Sequence, residues 1–248
     1  MSVSEDAGLR PVVLAIGAHP DDLEGTCCGT LAALARRGVE VHMATVTDGW
    51  CGSFHVPGEQ IAEIRLEEAR RAAEIAGATF HHLGMHDQGS EVTIERRRQL
   101  VDLMRRLNVS VLMAHASGDY HVDHRNAHEL AFQARGAGPV PNFGSQPPLR
   151  RMPDLVFFDN EQGLGFDPHI WLDVTETIDL RRKMIRAHTS QLQLMRETYN
   201  EDLVEMTDRL ARFRGGQRGC EYAEAFRGCG TYPNPDGGLR FLVKTLES

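Results

Sequence analysis

From Pro11 onward, short apolar runs alternate with segments of helical period, and the alternation repeats four times. "VVLAI" (12–16) predicts a strand buried on both faces. Residues 26–37 follow as a helix, with Leu31, Leu34 and Ala35 on one side and Gly38 as its stop. "VEVHMATV" (39–46) is a second strand, residues 60–76 an amphipathic helix closed by Gly77, and "TFHHLG" (79–84) a third strand. Residues 94–107 read as the next helix and "VSVLMAH" (109–115) as a fourth strand. Strands joined by helix-length connections must run parallel, because a tight hairpin cannot link parallel neighbours.

After Arg135 the pattern loosens. "GAGPVPNFGSQPPLRRMPD" (136–154) is a Pro/Gly-rich loop, expected as an exposed lid or a contact between copies of the chain. "LVFFD" and "HIWLDV" predict further strands, residues 177–195 a charged amphipathic helix, and the tail holds "EYAEAFR" and "CGTYPNPDGG". The expected fold is α/β: a Rossmann-like, mostly parallel sheet flanked by helices, with an embellished C-terminal part. No repeat or boundary divides the chain, so one domain is expected over residues 1–248, with residues 1–10 as a flexible tail.

In open sheets of this kind, ligands bind beyond the carboxyl ends of the strands. "AHPDDLE", "TDGW", "LGMHDQG" and "ASGDYHVDH" each follow a strand at that end, so four polar turns are expected around one crevice. The first crowds His19, Asp21, Asp22 and Glu24 together. Like charges that close repel unless something cationic or protonated sits among them. His121, Asp123 and His124 come from the fourth turn. Two histidines and one carboxylate supply three ligands to a divalent cation and leave a position open, the donor set of catalytic zinc and also of non-haem iron.

Composition narrows the function. The formal net charge is −8, which disfavours nucleic acid or an anionic membrane as partner. The basic run "ERRRQ" is expected as the solvated face of a helix. Five cysteines without a CxxC pair fit neither a disulfide framework nor a structural zinc knuckle, and suggest a reducing cytoplasm. "MSVSEDAGLR" lacks the order of a signal peptide, and no apolar run is long enough to cross a bilayer.

"AHPDDLE" and "HVDH" together resemble the two motifs of the LmbE-like, or PIG-L, metal-dependent N-deacetylases. "TDG", "EIRLEEARRAA", "AHTSQ" and "AEAFR" extend the resemblance from Val12 to Arg227. The resemblance implies that His19, Asp22 and His124 hold Zn2+, with Fe2+ as an alternative. It implies Asp21 as general base and His121, oriented by Asp123, as donor to the developing oxyanion. Arg65 matches a helical arginine near the site, Asp48 the site rim, and His188 the "AHTSQ" segment. Trp50 offers an aromatic face to a sugar ring, and His86 and Asp87 are placed at the cleft. Glu24 is read as a carboxylate at the positive end of a helix. The implied reaction removes an acetyl group from an N-acetylated amino sugar or glycoconjugate. A thiol-conjugate amidase and a mononuclear non-haem iron enzyme are the alternatives. A homo-oligomer, trimer or hexamer, is the assembly the resemblance implies.

Overall fold

The computed structural model describes residues 11–247; the segment expected as a flexible tail lies outside them. Seven strands form one sheet in the order β3-β2-β1-β4-β5-β7-β6. They are β1 (Val12–Gly17), β2 (Glu40–Thr47), β3 (Thr79–Met85), β4 (Val111–Ala114), β5 (Asp154–Phe158), β6 (Ile170–Asp173) and β7 (Ala223–Gly228). The first five pair in parallel, with Val13 opposite both Val41 and Val111. β7 runs antiparallel between β5 and β6. The sheet is therefore mostly parallel, as the alternation required.

The helices are α1 (Asp22–Thr26), α2 (Cys28–Arg36), α3 (Gly58–Ala76), α4 (Ile94–Arg106) and α5 (Val122–Ala137), then α6 (Ile178–Ala187), α7 (Thr189–Tyr199), α8 (Leu203–Arg218) and α9 (Leu239–Leu246). Every residue of β1 is buried, and its side chains alternate between two apolar layers. Leu14 and Ile16 pack with Leu100 and Met104 of α4 and Leu130 of α5. Val13 and Ala15 pack with Leu31 and Leu34 of α2 and Ala72 and Ala76 of α3. Helices on both faces are what turn β1 into a continuous apolar run.

Several elements differ from the sequence reading. The helix expected over 26–37 is two, α1 and α2, broken at Cys27, whose φ is −144°. The helix expected over 177–195 is also two, broken at His188 and continuing to Tyr199. α8 was not anticipated. The Pro/Gly-rich loop, expected as a lid, is fastened to α4 instead. Arg105 donates to the carbonyls of Gly138, Gln146, Ala137 and Val140, and Asp102 accepts from Ser145 and Gln146. Among the described residues no helix is long and apolar enough to cross a membrane.

Candidate active site

β1 and β4 lie side by side where the strand order reverses, so the turns that leave them open into one crevice. The β1 turn carries His19, Pro20 and Asp21, and Asp22 begins α1. The turn is tight: a Cβ on Gly17 would lie 3.1 Å from that of Asp22. From β4 come Asp119 and His121, the N-cap of α5, with His124 in its first turn.

Asp22 is the centre of the cluster. Its Oδ2 lies 3.6 Å from His19 Nδ1 and accepts from the His19 amide at 2.7 Å; its Oδ1 lies 3.4 Å from His124 Nε2. The outer ring nitrogens already have carboxylate partners. His19 Nε2 is 3.1 Å from both Asp123 and Asp87, and His124 Nδ1 is 2.9 Å from Asp119. Carboxylates on the outer nitrogens are the usual support of histidines that hold a metal, since they fix ring orientation and tautomer. His19 Nδ1 and His124 Nε2 thus both turn to Asp22, whose Oδ2 also lies 3.1 Å from the buried His115 Nε2, and Asp22, His115 and His124 bring ligand atoms within 4.8 Å of one another. His121 also brings a ring nitrogen within 4.8 Å of those of His19 and His124.

The charges of this cluster call for a cation. Burial alone would strip the proton from His124, yet Asp22 and Asp119 raise its pKa to about 10. Burial opposes His19 in the same way, and Asp22, Asp123 and Asp87 hold it well above the ordinary histidine range. Asp22 stays well below the carboxylate range despite burial, through His124 and His19. Protons on the rings supply the positive charge in the chain alone; a divalent ion would replace them on binding. Donor chemistry and charge both fit a metal.

Asp21 stands beside this group with φ 118°, a left-handed conformation that an aspartate adopts only under constraint. Burial pushes its pKa up to about 6 against the pull of Arg65. Arg65, itself buried on α3, donates to Asp21 Oδ1 at 2.8 Å and to the Pro20 carbonyl at 2.7 Å. A carboxylate poised near neutrality suits a general base.

Asp123 corrects the expectation. Its carboxylate accepts from the Ser90 hydroxyl and from the Gln88 amide at 2.8 Å, and it faces His19, not the ring of His121. What orients His121 is the backbone: the Asp123 amide donates to His121 Nδ1 at 3.2 Å. Burial, then the charges of His19 and His124, lower the pKa of His121, whose Nε2 faces the Gln88 side-chain amide at 3.2 Å.

Three further residues do not reach the cleft as expected. Asp48 accepts from His86 Nδ1 at 2.7 Å and from the amides of Trp50 and Asp87, which shapes the turn that presents Asp87 to His19. Trp50 packs against Gly58 and His86, away from the cavity wall. His188 is fully buried behind Asp21, with Nε2 3.4 Å from Glu24 Oε1. Glu24 is likewise buried and engages His188 besides starting α1.

A cavity of about 730 Å³ opens over the cluster, lined by His19, Asp21, Asp22, Arg65, His121 and His124 at one end. Glu161, in the turn after β5, also lines it; burial and the Asp22 charge raise its pKa to about 7, and Tyr120 donates to it at 3.1 Å. Sequence reasoning missed Glu161 and Asp119. The rule that gathered the other turns would have found Glu161, since "DNEQG" leaves a parallel strand at the same end.

The PIG-L family model, GlcNAc-PI de-N-acetylase, matches residues 14–135. Over 230 residues the chain is 30% identical to the diacetylchitobiose deacetylase of Thermococcus kodakarensis, an alignment covering 87% of this chain and 82% of that protein. The chain belongs to the PIG-L family. Another relative, 25% identical over 82% of this chain and 80% of its own length, is the 4-oxalmesaconate hydratase of Pseudomonas putida. Among solved structures, the N,N'-diacetylchitobiose deacetylase from Pyrococcus horikoshii, complexed with an inhibitor, superimposes with a TM-score of 0.77. It is 26% identical, with 93% of this chain and 85% of that chain covered. The family and α/β fold expected from the motifs are thus found. The PIG-L chain is an enzyme of the hydrolase class to which its deacetylase relatives belong. The mostly parallel open sheet differs from the β-barrel that usually carries the iron-enzyme alternative.

Proposed function

We propose that the protein is a zinc-dependent N-deacetylase of an N-acetylated amino sugar or glycoconjugate. The observation that carries this reading is the placing of Asp21, a half-buried carboxylate with its pKa pushed up to about 6, beside Asp22 and the two histidines, His19 and His124, whose ring nitrogens turn to it. His19, Asp22 and His124 would hold the zinc. A zinc ion there supplies Lewis acidity, toward a carbonyl oxygen and toward water alike.

The chain's own residues do the rest. Asp21 takes a proton as a water oxygen bonds to the acetyl carbon, and Arg65 keeps its carboxylate aimed. His121 donates from Nε2 to the developing oxyanion; one such donor is typically worth about 3 kcal/mol of transition-state stabilisation. As the C–N bond breaks, Asp21 returns the proton to the amine nitrogen, leaving acetate and a free amine. Glu161 and Gln88 line the cavity as partners for sugar hydroxyls.

Electrostatics favours this over hydration of a carboxylate substrate like that named for the Pseudomonas putida relative. Among the described residues the one Lys or Arg that lines the cavity is Arg65, already engaged by Asp21, whereas Asp21, Asp22, Asp87, Glu161 and Glu201 line it as acids. A neutral acetamido sugar enters such a site without repulsion. The five cysteines are free thiols, which supports a cytoplasmic setting. The test is release of primary amine and acetate in equal amounts from a panel of N-acetylated sugars. Release of neither, with the hydratase substrate turned over instead, would reverse the choice.

A further inference from the structure

Behind Asp21 lies a second, small hollow of about 20 Å³, whose walls include Asp21, Glu24, Gly25, Glu161, His188 and Thr207. Asp21, Glu161 and Leu203 line both this hollow and the substrate cavity, so they form the partition between the two. Its walls come from distant parts of the chain. Glu24 and Gly25 belong to α1, whereas His188 ends α6 and Thr207 sits on α8. Arg181 of α6 ties these parts together by donating to the Gly25 carbonyl at 2.9 Å.

Two of the walls are polar groups that the chain leaves short of partners. His188 is fully buried and Glu24 is 3% exposed, yet among the described residues neither ring nitrogen of His188 nor Glu24 Oε1 has a hydrogen bond. His188 Nε2 and Glu24 Oε1 stand 3.4 Å apart, close enough to attract but without hydrogen-bond geometry. Buried polar groups in this condition are costly, and ordered water meets them where there is room. One water needs about 10–15 Å³ of such space and about two to four polar partners. The hollow offers both. Resting on the N-deacetylase reading and its general base, we propose that the hollow is a water site whose water bridges His188 and Glu24 to the Asp21 carboxylate. His188 is thereby a positioning residue. Arg65 holds Asp21 Oδ1 at 2.8 Å from α3, and the bridge holds the same carboxylate from the hollow. Two fixed contacts aim it at the attacking water, where one alone would let it swing. A carboxylate accepts several hydrogen bonds, so the bridge leaves a lone pair for the proton that Asp21 takes.

Gly25→Ala is the direct test. A Cβ on Gly25 would lie 3.4 Å from Glu161 Cγ and 3.9 Å from Thr207 Cγ2, ordinary contacts with two walls of the hollow. The methyl group therefore takes the water's place and leaves His188 and Glu24 unchanged. High-resolution crystal structures of the zinc-loaded full chain are expected to show the water within hydrogen-bond distance of His188 and Asp21, and to lack it in Gly25→Ala. On the best N-acetylated sugar of the panel, kcat of Gly25→Ala is expected to fall about ten-fold or more, as a slightly misplaced catalytic group predicts. KM, bound zinc and the unfolding midpoint should stay close to wild type. His188→Leu should match that fall in kcat, and His188→Gln, which keeps a donor and an acceptor, should recover most of it; this pair decides the matter should Gly25→Ala fail to fold. A dry hollow in the wild type, wild-type kcat in Gly25→Ala without the water, or His188→Gln no more active than His188→Leu would overturn the proposal. The crystal structure reads the water without turnover. A bridging water in a protein that releases no amine upholds the site and counts against the deacetylase reading, and amine release over a dry hollow does the reverse.

Discussion

Asp123 Oδ2 lies 3.1 Å from His19 Nε2, and the Asp123 carboxylate makes no hydrogen bond to the neighbouring His121 ring. The second motif thus supports the first across the crevice: a carboxylate from α5 fixes the histidine that leaves β1. Burial of Asp123 is outweighed by His19, Ser90 and the Gln88 amide, which hold it well below the usual carboxylate range.

The consequence is a split between metal affinity and turnover. Asp123→Asn is expected to weaken zinc binding by about 10–100-fold, the usual effect of losing a carboxylate behind a ligating histidine. Competition against a zinc-binding dye measures it. Unchanged zinc affinity with reduced kcat would return Asp123 to the role of orienting His121.

Asp21→Asn keeps the shape of the side chain, and asparagine tolerates the left-handed backbone at this position. It is expected to retain bound metal while losing about 10²–10⁴-fold in kcat, the span of general acid–base catalysis. Metal analysis beside steady-state kinetics checks both halves, and near wild-type kcat would remove Asp21 from the mechanism.

Arg65→Met removes the donor to Asp21 and to the Pro20 carbonyl together. Asp21 loses the cation that opposes the effect of burial on its pKa, so a larger fraction is protonated at neutral pH. The expected result is a fall in kcat larger than the rise in KM. A change confined to KM would make Arg65 a substrate contact only.

His188→Ala tests burial against substrate binding. The ring is fully buried and faces Glu24, so its loss leaves a buried carboxylate unpaired, at a cost of about 3 kcal/mol. Denaturant unfolding should show that loss while KM stays within two-fold. A large rise in KM at unchanged stability would place His188 in contact with substrate.

The strand-and-helix order was legible because β1, β2 and β4 are buried on both faces and read as plain apolar runs between caps and glycines, while β3 is a partly exposed edge strand. The cluster was legible because topology sends His19, Asp21, Asp22, His121 and His124 to adjacent strand ends. What stayed hidden depends on tertiary geometry. Helical period runs unbroken across His188, whose φ −85° and ψ 63° end α6 where its buried ring meets Glu24. α8 carries many charges and holds Gly215 and Gly216 near its end, and Gly215 is needed because a Cβ there would strike the carbonyls of Glu221 and Cys220. The partner of the Asp123 carboxylate could not be read from "HVDH", since adjacency in sequence suggested His121 and the fold chose His19.

The most direct test is a zinc titration of metal-stripped protein, following amine release from an N-acetylated amino sugar, with His124→Ala alongside. Wild-type activity should be absent at the start, rise in proportion to added zinc and level off at one equivalent, while His124→Ala binds little zinc and stays inactive. Full activity in the stripped protein, or a metal-loaded and active His124→Ala, would contradict the assignment of His19, Asp22 and His124 as the metal site of this enzyme.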